Sequence, residues 1–99
     1  MRLIGKSELY ALAETKDREL VQAVRALGAE LEAADWHSLD NVLTAFPRAQ
    51  LCEHRVTIDL DELNCAVIAL NFEVGIALVE FAGPKSTPHP AIRKTEGLQ

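Results

Sequence analysis

The chain has 99 residues, 48% of them apolar and 25% charged. This composition excludes intrinsic disorder and leaves room for one domain. Fifteen acidic residues against ten basic ones give a formal net charge of −5, which excludes a generic, charge-driven nucleic-acid binder and DNA binding by the domain alone. The longest apolar run, Cys65 to Leu70, is far too short to span a membrane, and the N-terminus lacks the order of segments of a signal peptide. The two cysteines, Cys52 and Cys65, both lie in apolar segments. They are expected to be buried and reduced, in a cytoplasmic protein.

Arg2-Leu3-Ile4 reads as a short first strand stopped by Gly5. Ser7 is expected to cap a helix from Glu8 to about Thr15, with Leu9, Leu12 and Ala13 on one face. Asp17 caps the next helix, where Leu20, Val24, Leu27 and Leu31 recur at helical spacing and form the clearest amphipathic stripe of the chain. Gly28 weakens this helix without breaking its stripe. Ser38 is expected to cap a short third helix bearing Val42, Leu43 and Phe46, ended by Pro47.

Beyond Pro47 the apolar period falls to two. Val56, Ile58 and Leu60 alternate with Arg55, Thr57, Asp59 and Asp61, as in a strand with one buried face. Asp61 to Asn64 is a turn, and Cys65 to Phe72 reads as a central strand covered on both faces. Glu73-Val74-Gly75 returns the chain, with Gly75 suited to a positive φ. In the strand from Ile76 to Ala82, Ala77, Val79 and Phe81 are expected to share one face. Gly83-Pro84 is expected to stop it, and Ser86 to Pro90 can hold neither helix nor central strand. Short returns imply antiparallel neighbours, so the expected fold is α+β, with two or three N-terminal helices packed on an antiparallel sheet. The expected core comprises the stripe of the second helix with Val56, Ile58, Val67, Ala69, Val79 and Phe81.

This order of elements resembles the HigB-type toxins of bacterial type II toxin-antitoxin systems, which have the RelE-like ribonuclease fold. The likeness rests on Arg2-Leu3-Ile4, on Ala34-Asp35-Trp36-His37-Ser38 before the third helix, on Asn41-Val42 and Phe46-Pro47, on Val56-Thr57-Ile58-Asp59-Leu60, on Ala69 and Phe72, and on Phe81-Ala82-Gly83. It covers about 90 residues and implies a single HigB/RelE-like domain over residues 1–92, with 93–99 as a mobile tail. The resemblance also implies an mRNA interferase, an endoribonuclease held inactive by an antitoxin. The family's functional arginine and its preceding tyrosine correspond here to Ala66 and Cys65, its histidine to Lys85 and a further tyrosine to Pro88. Cleavage of RNA by a 2′-hydroxyl needs a base, a cation for the phosphorane and an acid for the leaving oxygen. With these replacements the expected activity is weak or absent.

Four residues remain as catalytic candidates: Lys85, His54, Arg55 and His89. His54 is the best proton carrier and Lys85 the best cation. Residues 51–83 hold one basic side chain, Arg55, against Glu53, Asp59, Asp61, Glu62, Glu73 and Glu80, so any RNA or ribosome contact is weakened by an acidic sheet. Asp59, Asp61 and Glu62 lack calcium-loop spacing, and no phosphate loop or nucleotide fingerprint occurs, so neither metal nor cofactor is expected. Trp36, Phe46, Phe72 and Phe81 are expected in the core rather than as base-stacking platforms. The alternative function is a non-catalytic RelE-fold relative acting through protein-protein binding. The expected partner is an antitoxin-like protein or a second copy in a homodimer, because one layer of helices cannot cover strands that are apolar on both faces.

Overall fold

The computed structural model describes residues 1–85. His89, the Ala91-Ile92 segment and the tail 93–99 lie outside the described residues. The elements are β1 (Arg2–Ile4), α1 (Lys6–Tyr10), a 3₁₀ turn (Ala11–Ala13), α2 (Arg18–Ala33), α3 (Leu39–Ala45), β2 (Gln50–Cys52), β3 (Arg55–Asp59), β4 (Asn64–Asn71) and β5 (Ile76–Pro84). They form an α+β domain of N-terminal helices on one five-stranded sheet.

The sheet order is β1-β5-β4-β3-β2. Strands β2 to β5 form an antiparallel meander, whereas β1 runs parallel to β5. The sheet is therefore mixed, not antiparallel throughout. The helices carry the chain from β1 back across the sheet, so that β1 lies beside the last strand in the same direction, which no short return can do.

Helix α2 forms as its stripe dictates. Asp17 accepts from the backbone N–H of Glu19 at 3.1 Å and of Leu20 at 3.2 Å, filling two of the helix's open donors. Leu20, Val24, Leu27 and Leu31 are all buried. The first helix breaks after Tyr10, and Gly5 rather than Ser7 stands at its N-cap. Gly28 has a role that propensity does not show. Tyr10 lies directly across it, so a Cβ there would collide with the Tyr10 hydroxyl and come within 2.7 Å of its Cζ. The missing side chain is what lets α1 approach α2.

Beneath the helices, Val56, Ile58, Ala66, Ile68, Leu70, Ala77 and Val79 form the inner face of the sheet. Trp36 is buried at the junction into α3 and meets the ring of half-buried Phe46 edge-on at 6.1 Å between centroids. Phe72 is half-buried against the same core.

Four local expectations are corrected. Cys52 is exposed, because it sits on β2, a three-residue edge strand that the apolar pattern does not signal. Ala69 is only half-buried, since it faces away from the helices. Phe81 is half-buried and does not share a face with Ala77 and Val79. A β-bulge is the cause: Val79 pairs with Ile68 and Phe81 with Val67, which leaves Glu80 as an extra residue and turns the rest of β5 over. Finally, β5 continues through Gly83 to Pro84, which pairs with Asn64 as the last residue of the ladder.

Candidate functional site

The face of the sheet away from the helices carries the candidate residues, and two tight turns set its ends. At the β3–β4 turn, Asp61 Oδ1 accepts from the backbone N–H of Leu63 at 2.8 Å and of Asn64 at 2.7 Å, and Asn64 Nδ2 donates to the same carboxylate. These bonds, led by that from Leu63, hold the Asp61 carboxyl below its ordinary range. At the β4–β5 end, Asn71 Oδ1 accepts from the backbone N–H of Glu73 and Val74, and Gly75 completes the return at φ 68°. The β2–β3 turn is tighter still, and Glu53 occupies the left-handed region at φ 57°.

His54 follows Glu53 in that turn and is exposed; its carbonyl accepts from Leu70 N–H at 2.8 Å. Arg55, next in the chain, points over β4. Its Nε donates to Glu80 Oε1 at 2.6 Å and its Nη2 to Glu80 Oε2 at 3.4 Å. From its place beside Ala69 the side chain runs diagonally toward the bulge next to Val67 and Ile68, where Glu80 stands. The bonds to Glu80 raise the Arg55 pKa further, so the guanidinium stays charged and faces a carboxylate.

Lys85 stands at the other end. Its backbone N–H donates to Leu63 O at 2.8 Å, and its Nζ lies 3.3 Å from Asp59 Oδ2. His54 neighbours Leu70 and Lys85 neighbours Leu63, a separation of roughly 23 Å at the rise of a strand. The structure therefore joins His54 and Arg55 at one end of the sheet and sets Lys85 at the other. No three-point cluster of proton carrier, cation and acid forms from them among the described residues.

The two ends also differ in surface. Towards Lys85, Val67 and Cys65 are buried although they face away from the helices, and the Phe81 ring lies against Gly83, where a Cβ would come within 3.2 Å of it. Burial pushes the Cys65 thiol up. Towards His54 the face opens into a groove of about 720 Å³. Ala69, Asn71, Ile76 and Leu78 line it from the sheet, Phe72 stands beside them, and His54 and Glu73 come from the turns. Beyond it, Ile4 on β1 pairs with Leu78, and the two are 39% and 37% exposed, high for large aliphatic side chains within a sheet.

Other sequence candidates have local roles. Ala66, the position matched to the family's arginine, faces the helices and is fully buried; Cys65 and Val67 are its neighbours on the far side. His37 is exposed, with Nε2 3.2 Å from Asp35 Oδ1, and its backbone N–H donates to Asn41 Oδ1 at 2.8 Å. Among the described residues no group of three His, Cys, Asp or Glu side chains is placed to hold a metal ion. None of the described helices is long and apolar enough to cross a membrane. Sequence reasoning missed the groove. Its signals are Ile76 and Leu78, apolar residues on the side of β5 opposite Ala77 and Val79, in strands already read as apolar on both faces.

Neither a family model nor a curated protein sequence matches the chain.

Proposed function

We propose that this domain works by binding protein through the open face of its sheet, as a non-catalytic relative of the RelE-like ribonucleases. The observation that carries this reading is the fate of the two candidate cations. Arg55 is held by both oxygens of Glu80, and Lys85 is held by Asp59, so each cation already faces a carboxylate. A phosphorane carries negative charge, and a guanidinium already neutralised by a carboxylate stabilises it poorly. With both cations paired, the face offers no free positive charge from Arg55 or Lys85 to a phosphate backbone. It carries Glu73 at the groove, in no ion pair among the described residues, while the apolar groove suits side chains.

The test is cleavage of free RNA and of messenger RNA on translating ribosomes by the purified chain and by H54A and K85A. The expected result is no cleavage above background by any of the three. Robust cleavage by the wild type, lost in H54A or K85A, would replace this reading with a HigB-like mRNA interferase. That reading draws on the resemblance of segments and on the exposed imidazole of His54 at the groove.

A further inference from the structure

We infer that the occupant of the groove is a second copy of this chain, packed face to face about a two-fold axis that runs along β5. The inference rests on reading the open face as a contact surface and adds to it the partner and the geometry. Two independent features of the face carry it.

The first is shape. Ile4, Leu78 and Ala69 lie in one cross-strand row, with Leu78 on β5 in the middle, Ile4 on β1 to one side and Ala69 on β4 to the other. Neighbouring strands are about 4.8 Å apart, so Ile4 and Ala69 stand at equal distances from β5. One side of the row carries an exposed large side chain, and the other carries a methyl group beneath a groove. A half-turn about an axis along β5 exchanges the two sides. Ile4 of each copy then enters the hollow above Ala69 of the other, and Leu78 meets its own counterpart. A two-fold interface requires this self-complementarity, in which residue i meets j and j meets i.

The second feature is charge. Arg2 pairs with Ile76, one position along β1 from the edge of the groove, and its backbone N–H donates to Gly75 O at 2.7 Å. Glu73 lies in the same turn, on the β4 side of β5. The half-turn that brings Ile4 over Ala69 also carries Arg2 over Asn71, the partner of Ile76 on β4 and two residues from Glu73, within reach of a long arginine side chain. Neither Arg2 nor Glu73 is in an ion pair among the described residues. Each interface thus gains two Arg2–Glu73 contacts at its rim around an apolar centre of Ile4, Ile76 and Leu78.

The experiment is sedimentation equilibrium of the full chain from low to several hundred micromolar, on the wild type, R2E, E73R, the double variant, and L78E. All three substituted positions are exposed, and circular dichroism checks that each variant folds. The wild type is expected to dimerise. R2E and E73R each place like charges at both rim contacts and are expected to weaken the dimer by about tenfold or more. The double variant restores both contacts within a homodimer. An equimolar mixture of R2E and E73R restores both in a heterodimer, which a different partner or a different face would not reproduce. A wild type that stays monomeric, or a dimer indifferent to both reversals, overturns the inference. L78E puts a charge at the centre of the contact and is expected to abolish the dimer; a dimer that L78E leaves intact also overturns the inference. The RNA-cleavage assay stands apart: a monomer that leaves RNA intact removes the second copy and not the binding role.

Discussion

The two faces of this sheet are built from the same strands and differ in what they do. On the inner face, Val56, Ile58, Ile68, Leu70 and Val79 are covered by α2 and its neighbours, and all are nearly inaccessible. On the outer face the same strands present Arg55, Asp59, Ala69, Leu78 and Glu80, with charges joined across strands and a groove at one end. A continuous apolar strand such as β4 therefore carries two messages. Ile68 anchors the fold, whereas Ala69 floors the groove on the opposite face.

The sharpest way to break this comparison is to truncate one aliphatic residue on each face. Ile68→Ala removes a fully buried side chain and is expected to cost about 2–5 kcal/mol by lost transfer energy and a residual cavity. Leu78→Ala, at 37% exposure, is expected to cost below about 1 kcal/mol in the monomer. Denaturant melts at low protein concentration check both. Equal losses would mean that the outer face is part of the folding core.

A smaller effect is expected between the helices. Gly28→Ala improves helix propensity but drives a methyl into Tyr10, so the net expectation is a loss of about 1–3 kcal/mol. Tyr10→Ala in the same chain should recover part of it, measured as a double-mutant cycle. A stabilised Gly28→Ala would show that Tyr10 does not fix the approach of α1 to α2.

The smallest effect is a pH dependence at the β3–β4 turn. Asp61 is held below its ordinary carboxylate pKa by the N–H groups of Leu63 and Asn64. A carboxylate with a lowered folded pKa adds stability that is present above the unfolded value, about 3.9, and is lost as pH falls through the folded value. The melting temperature of the wild type should exceed that of Asp61→Ala at neutral pH, and the gap should close below roughly pH 4. A gap independent of pH would assign the effect to turn geometry alone.

Much of this arrangement is legible in the sequence, because it follows from short-range period. The α2 stripe from Leu20 to Leu31, the alternation through Val56 and Ile58, and the need for a glycine at position 75 all act within a few residues. The rest depends on contacts between distant segments. Nothing near Arg2 shows that β1 pairs parallel with Ile76 to Leu78. The alternation from Ile76 to Ala82 reads straight through Glu80, and only the register with β4 reveals the bulge. That bulge decides the site, since it helps to bring Glu80 to Arg55, a partner 25 residues away in sequence. Adjacent His54 and Arg55 were visible as candidates. The ion pair that occupies Arg55, and the separation of Lys85 from both, were not.

If the outer face is a protein contact surface and the inner face is the fold's own core, the two respond differently to protein concentration. Hydroxyl-radical footprinting of the full chain at low and at high concentration tests it most directly. Ile4, Ile76 and Leu78 are expected to be labelled in dilute solution and protected at high concentration, with no labelling of Ile68 or Leu70 in either. Labelling of Ile4 and Leu78 that is strong and unchanged across the concentration range would contradict it.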